Sequence, residues 1–369
     1  MQNRYTVISF AKSYRILLLR QLAERKIRLH IMLSLVLLLL LFSCNRSANK
    51  VDIDSIDLEI KIKRLEKELF ELSVDSITYS IPYFEKKFGH FYELFNYVIN
   101  IGETKSPYYP GYIKSFISDR TNREVYQAVI REFPDIDMLE KALTEAFKHY
   151  KYYFSEKTIP DIYTFISGFN ASVIIDTNIL AIGLDRYLGT ECEYYNQLGL
   201  PEYKRINMYK EKIVTDCMFA WVSTEWYFNE EGSRELVNNV LNNIIHEGKL
   251  MYLVKSLVPQ EDISIIMGFS ADQIKFCRRN EKQMWTYLIE HKLLFSSDRM
   301  TVNKLIGEAP FTSYFPSDSP GRAAVWIGYR VVEQYMRKNP GLTLIDLMEN
   351  NDYQLILEGS GYNPRDRNK

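Results

Sequence analysis

The sequence predicts an α+β protein that is mostly helical, with helices packed around a small mixed sheet. Long stretches place apolar and aromatic residues at helical spacing, whereas the segment after Pro160 contains short runs rich in Ile, Val, Tyr and Phe. The composition is globular, with 46% hydrophobic and 25% charged residues in 369. One body of helices around a small sheet is therefore the simplest architecture.

The N-terminus has the pattern of a bacterial lipoprotein signal. Basic residues precede an apolar run at 31–42, which is too short for an ordinary membrane span but typical of a signal-peptide core. Ser43 and Cys44 follow at once and resemble a lipoprotein cleavage box. We predict a signal peptide at 1–43, a membrane-anchoring lipid on Cys44 and a polar tether at 44–55. The alternative is a short buried helix with an incidental thiol.

Charge is distributed unevenly along the sequence. Residues 1–30 carry seven Lys and Arg against one acid, so the remainder has 39 basic and 46 acidic residues and a net charge of −7. Binding to nucleic acid needs a positive face for the phosphates. Nucleic acid is therefore not an expected partner.

Three cysteines follow Cys44, which is an odd number without C-x-x-C spacing: Cys192, Cys217 and Cys277. We predict no disulfide and no structural metal site from them. Cys217 lies on an apolar helical row with Ile213 and Trp221, which predicts a buried structural thiol.

In the first half of the sequence, the spacing of apolar residues changes from helical to strand-like at Pro160. Leu58, Ile60 and Ile62 alternate with charged residues, as in a half-buried strand. Residues 83–153 are helical and aromatic, and one row predicts core packing: Phe84, Phe88, Phe91 and Phe95. Three short runs then predict strands at 162–166, 172–175 and 179–184, separated by turn signals.

The second half is predicted to be helical. A helix around 207–226 is followed by an exposed link at 229–232. The strongest pattern covers 236–258, where two adjacent apolar rows predict a buried helix that Pro259 ends. Ser270 and Gln273 have capping-box spacing, so another helix starts there, with an expected bend near 278–280. A loop at 310–321 and a final long helix that ends at Asn339 complete the pattern.

The helix at 236–258 also carries half of a zinc motif. A catalytic zinc helix reads H-E-x-x-H, with two His as ligands and the Glu activating a water. Here His246 and Glu247 are present, but Leu250 occupies the second His position. Glu281 on the next helix has the place of a third ligand. Gly248 is costly in a helix interior, which predicts close approach by another backbone.

Four segments, together with the lipoprotein signal, resemble the GldB family of gliding-motility lipoproteins from Bacteroidota. They are IGLDRYLG at 182–189, IIHEGKLMY at 244–252, NEKQMWTYLIEHKLLF at 280–295 and SPGRAAVWIGYRVV at 319–332. The resemblance covers the mature protein and implies a single globular domain at 56–369. It further implies a protein of the gliding and type IX secretion machinery, with a zincin-like fold that has lost a histidine, a degenerate metallopeptidase.

A catalytic zinc normally needs three protein ligands and an open water position. We therefore expect no cofactor, with His246 and Glu281 as relic ligands and Glu247 as a relic base. Lys249 opposes a dication, so we predict that these four residues form a structural polar cluster instead. The expected protein is noncatalytic, acts through contacts with other gliding or secretion proteins, and lies in the outer membrane. Residues 45–50 lack an acidic run, which favours the periplasmic face.

Two alternatives stay open at this point. The protein is an active zinc metallopeptidase if another residue replaces the missing histidine, and the candidates are Asp185, His149 and Glu290. It is a periplasmic peptide-binding module if the cleft holds a peptide without cutting it.

Overall fold

A computed structural model describes residues 51–228 and 237–365. Within these residues the predicted class is confirmed, because helices surround a small mixed sheet. The elements belong to one compact unit that begins at Ile53. The predicted signal peptide, Cys44 and the link at 229–232 lie outside the described residues.

Six helices of the N-terminal half provide much of the aromatic core. They are α1 (Leu65–Glu71), α2 (Ile77–Phe88), α3 (His90–Val98), α4 (Tyr109–Ser118), α5 (Arg120–Glu132) and α6 (Asp137–Tyr153). The predicted aromatic row is buried on α2 and α3, which confirms its core role. Phe91 of α3 stacks on Tyr163 of the sheet, with ring centroids 4.4 Å apart. This contact holds α3 against one face of the sheet.

The sheet contains β1 (Ile62–Arg64), β2 (Asp161–Phe165), β3 (Val173–Asp176) and β4 (Ile179–Gly183) in the order β1-β2-β4-β3. β1, β2 and β4 run parallel, and β3 pairs antiparallel with β4. The three strands predicted after Pro160 are confirmed. The earlier strand was predicted at 58–62 but begins only at Ile62, since side chains of α6 accept the backbone hydrogen bonds of the residues before it. Ile60 N donates to Thr144 Oγ1 at 3.0 Å and Ile62 N to Glu140 Oε1 at 2.9 Å.

The remaining helices are α7 (Glu193–Gln197), α8 (Glu202–Arg205), α9 (Ile213–Glu225), α10 (Val240–Leu257), α11 (Ile263–Met267), α12 (Ala271–Glu290), α13 (Arg299–Ile306), α14 (Ala323–Lys338), α15 (Leu344–Glu349) and α16 (Tyr353–Ser360). The helix predicted at 236–258 is α10, and it is buried on nearly all sides. It begins later than predicted, because Asn239 caps it by accepting a hydrogen bond from Asn242 N at 2.9 Å.

The bend predicted near 278–280 is wrong, because α12 runs unbroken from Ala271 to Glu290. Cys277, Glu281 and Met284 are buried at helical spacing across this region, so packing keeps the helix continuous. The predicted start is confirmed: Ser270 and Gln273 form a reciprocal capping box.

Two glycines bring α10 and α14 into backbone contact. An added Cβ on Gly248 would lie 2.2 Å from the carbonyl carbon of Gly328, and one on Gly328 would lie 1.6 Å from the Ile244 oxygen. No side chain fits in either position. The close approach predicted from Gly248 is confirmed, and its partner is Gly328.

The three described cysteines are free thiols, and Cys217 is fully buried as predicted. Among the described residues, no helix has the length and apolar character needed to cross a membrane.

Candidate functional site

The crossing of α10 and α14 fixes where the candidate site residues point. His246, Glu247 and Lys249 flank Gly248 on α10, whereas Glu281 lies on α12. Among the described residues, no hydrogen bond or ion pair joins any two of these four side chains. Instead, three separate polar networks connect them to neighbouring elements.

His246 belongs to a mostly aromatic pocket. It is 7% exposed, and its Nδ1 shares a hydrogen bond with the Tyr353 hydroxyl of α16 at 3.2 Å. Phe228 packs edge-on against the imidazole, with ring centroids 5.3 Å apart. Burial, with the Lys249 charge, lowers the pKa of His246 to about 4. The imidazole is therefore neutral at pH 7.

The burial of His246 predicts a loss of stability in acid. The pKa of His246 is lowered from 6.5 in the unfolded protein to about 4 in the folded protein. The stability that the neutral imidazole contributes is therefore complete above pH 6.5 and is lost as the pH falls toward 4. Between pH 7.5 and 5 the loss should be about 2 kcal/mol. Urea unfolding of wild type and His246→Gln at pH 7.5 and at pH 5 measures this loss. It is the change, between the two pH values, in the difference between their free energies of unfolding. The exposed His291→Gln serves as control, and a difference independent of pH contradicts the assignment.

Lys249 connects α10 to the C-terminal helices. Its ammonium donates to the carbonyl oxygens of Met348 at 3.0 Å and Asn350 at 2.8 Å, at the C-terminal end of α15. The same Nζ lies 5.3 Å from the centroid of the Tyr353 ring. Carbonyls at a helix C-terminus and an aromatic face both favour a cation. Burial nevertheless lowers the pKa of Lys249 to about 7.

Glu247 pairs with an arginine at the start of α14. Its Oε2 accepts a hydrogen bond from Arg322 Nη2 at 3.2 Å, and both side chains are half-buried. Burial raises the pKa of Glu247, and the Arg322 charge opposes that shift. The carboxylate that would activate water in a zinc enzyme here holds an arginine.

Glu281 joins α12, α14 and the C-terminal segment. Its carboxylate accepts hydrogen bonds from Trp326 Nε1 at 3.2 Å and from the Tyr362 hydroxyl at 3.1 Å. Arg330 Nε lies 3.3 Å from Oε2 of the same carboxylate. Glu281 is 5% exposed, so these three donors compensate for the cost of its burial.

These residues do not fit a zinc site. Leu250 has no donor atom, and Arg330 and Arg322 hold the two carboxylates. No group of three or more His, Cys, Asp or Glu side chains in the described residues is arranged to bind a metal ion. The zinc-binding alternative lacks a ligand set at this position.

The proposed replacement ligands have other surroundings. Asp185 is fully buried and accepts hydrogen bonds from the Ser167 and Phe169 amides at 3.0 and 2.7 Å, while burial raises its pKa to about 6. His149 Nδ1 bonds to the carbonyl of Glu145 at 2.9 Å, and Glu290 is exposed. Asp185 thus supports the turn between β2 and β3.

Sequence reasoning missed the partners of the candidate residues. Arg322 and Arg330 lie at the two ends of the apolar run 323–329, which contains Gly328, and Tyr353 lies far downstream. Arginines bordering a buried helix indicate buried carboxylate partners, so this signal was available. Nothing local pointed to Tyr353.

The fold and these networks define an α+β protein in which buried polar networks connect the helices. Comparison with family models then identifies the family. The protein belongs to the family of the gliding motility protein GldB, whose model matches residues 46–364, and the family is one of lipoproteins. No curated protein matches the sequence. No solved structure matches it either, so the similarity to zincin-like peptidases stays a prediction.

Proposed function

We propose that this protein is a noncatalytic, lipid-anchored accessory component of the gliding motility and type IX secretion machinery that acts through protein contacts. The observation that carries the noncatalytic role is the pairing of Glu247 with Arg322 and of Glu281 with Arg330. The guanidinium charge of each arginine repels a dication, and the hydrogen bond that it donates competes with a metal or a proton for the carboxylate. Membership of a gliding-motility family supports the biological role.

The anchor and its location belong to the same proposal. The signal at 1–43 delivers the protein, a lipid on Cys44 holds it at the outer membrane on the periplasmic face, and a tether at 44–55 connects it to a single domain at 56–369. Support comes from the order of basic flank, apolar core, small residue and cysteine, and from the lipoprotein family. Partners then bind the exposed surface of the domain.

Zinc titration of the purified protein, with dialysed apo protein as the start, tests the noncatalytic role. We expect no stoichiometric zinc binding tighter than micromolar, because the ligand set is incomplete. His246→Ala provides the matched variant and should give the same isotherm. Tight binding that disappears in His246→Ala, together with chelator-sensitive hydrolysis, would establish the metallopeptidase alternative instead.

Fractionation of Cys44→Ala tests the anchor. Without the thiol no lipid is attached, so the variant should move from the membrane fraction to the soluble fraction of the cell. Cys192→Ala removes a different thiol and should leave the distribution unchanged. If Cys44→Ala stays in the membrane, the apolar run at 31–42 is a membrane span and the topology is wrong.

A further inference from the structure

The two edges of the sheet are treated differently by the rest of the protein. At the β1 edge, side chains of α6 accept backbone hydrogen bonds: Ile60 N donates to Thr144 Oγ1 and Ile62 N to Glu140 Oε1. β3 forms the opposite edge, where it pairs with β4 on one side. Proteins usually protect such an edge, because its unpaired backbone groups are a template for another strand.

The hydrogen-bond pattern shows which backbone groups of β3 face outward. Gly183 N donates to Ser172 O at 2.8 Å, and antiparallel strands exchange hydrogen bonds at every second residue. Ser172 and every second residue after it are therefore bonded to β4. The N–H and C=O groups of Val173 and Ile175 point away from β4, and in the part of the chain that the structure describes none of these four groups has a hydrogen-bond partner.

The sequence of β3 lacks the residues that normally protect an edge strand. Val173, Ile174 and Ile175 are three β-branched apolar residues in succession, and all are partly exposed. Lysine, proline and a β-bulge, which are common devices against pairing, are absent from the four residues of β3. β-Branched residues also favour strands. β3 is thus suited to accept a further strand.

α3 runs along β3 on one face of the sheet. At its start, His90 Nε2 lies 3.4 Å from Asp176 Oδ2, and at its end Val98 O accepts a hydrogen bond from Asn170 Nδ2 at 3.2 Å. Tyr97 lies seven residues after His90, on the same side of α3, and is 84% exposed. Its ring offers an aromatic surface against which a side chain of an added strand packs.

The hairpin end of β3 carries a negative charge. The carboxylates of Glu93 and Asp176 both contact His90, at 3.0 and 3.4 Å. Two acids against one histidine leave a net negative charge even when the histidine is protonated, and all three side chains are exposed. A lysine or arginine in an added strand is therefore favoured here, whereas an acidic residue is repelled.

We propose that β3 accepts an extended segment of a partner polypeptide as a fifth strand of the sheet. Main-chain hydrogen bonds to Val173 and Ile175 hold the segment, while an apolar side chain packs on Tyr97 and a basic residue lies beside Asp176. Donors and acceptors that alternate in this way match the edge of another strand, and not a lipid or a nucleic acid. The inference rests on the proposed function, since it supplies a contact through which an accessory protein engages a partner.

Peptide binding to the full-length protein in detergent tests the open edge, with fluorescence anisotropy as the readout. The probe is the fluorescein-labelled peptide Lys-Val-Thr-Val-Thr-Val-amide. One control peptide has the same sequence with every backbone amide N-methylated, and another has glutamate in place of lysine. We expect the N-methylated peptide to bind at least about 10-fold more weakly than the probe, because it cannot donate to the edge. The glutamate peptide should also bind more weakly.

Proline variants separate the open edge from the rest of the strand. Ile175→Pro removes an outward donor that β4 does not use, so it should weaken peptide binding at least about 10-fold in a folded protein. Ile175→Val keeps the donor and serves as the matched control, with unchanged binding. Ile174→Pro removes an amide that bonds to β4 and should lower the unfolding midpoint in urea. Tyr97→Ala changes an exposed side chain and should weaken binding even if Ile175→Pro does not fold.

Three results would overturn the proposal. The first is no binding of the probe, or equal binding of all three peptides. The second is unchanged binding in both Ile175→Pro and Tyr97→Ala. The third is a dimer of the free protein in sedimentation that Ile175→Pro dissociates, which assigns the edge to a second copy of this protein. Co-purification of the wild type with gliding proteins in any of these cases leaves the proposed function standing.

Discussion

Replacing Gly328 with alanine is expected to lower the free energy of unfolding by at least about 3 kcal/mol. The new Cβ would lie 1.6 Å from the Ile244 carbonyl oxygen and 2.5 Å from its carbonyl carbon. Both obstructing atoms are backbone, so no side-chain rotation relieves the overlap. The two helices must separate, and every contact along their interface weakens. Urea unfolding of the soluble body, residues 45–369, measures the change.

Gly111→Ala provides the matched control for Gly328→Ala. Gly111 also lies within a helix, α4, but nothing is within 4 Å of its added Cβ. Alanine has the higher helix propensity, so this variant should be neutral or more stable by up to about 1 kcal/mol. If Gly328→Ala behaves like Gly111→Ala, α10 and α14 do not cross at this distance.

This crossing connects the fold to the candidate site. Gly248 sits between Glu247 and Lys249, and Gly328 sits between Arg322 and Arg330. Contact between the two glycines brings the arginine-bearing helix alongside the helix that carries the relic motif. The pairing of Glu247 with Arg322 therefore depends on two positions that have no side chain.

Much of the fold was predictable because its signals are local. The spacing of hydrophobic residues distinguished the strands after Pro160 from the helices around them. The capping box at Ser270 located the start of α12. The predicted bend in α12 is wrong because of contacts with elements that are distant in the sequence. Burial of Cys277, Glu281 and Met284 against neighbouring elements outweighs the polar character of residues 278–280.

The candidate site was predictable only in part. The sequence identified His246, Glu247, Lys249 and Glu281, and three of these are more than nine-tenths buried. It did not show that Tyr353, Arg322 and Arg330 would be their partners, since those contacts span 49 to 107 residues and depend on how helices dock. The observed contacts form three separate networks, whereas the sequence predicted a single cluster.

Glu281→Ala is expected to lower the free energy of unfolding by about 2–4 kcal/mol, because it removes one partner of a buried ion pair, while Arg330 keeps its ion pair with Glu333. The substitution leaves Arg330 without the Glu281 carboxylate and removes the acceptor for Trp326 and Tyr362. Glu290→Ala, on the same helix but exposed, should change stability by less than about 0.5 kcal/mol.

Unfolding Glu281→Ala and wild type with zinc and with chelator separates the two roles considered for this carboxylate. As the anchor for Arg330, Glu281 contributes the same stability in both conditions, because its partners are protein groups. As a metal ligand, its contribution would grow with zinc by mass action and vanish with chelator. We expect equal unfolding midpoints for each protein in the two conditions. A zinc-dependent gap between wild type and Glu281→Ala would instead return Glu281 to the ligand set, and Arg330 would then have to release the carboxylate for the metal to bind.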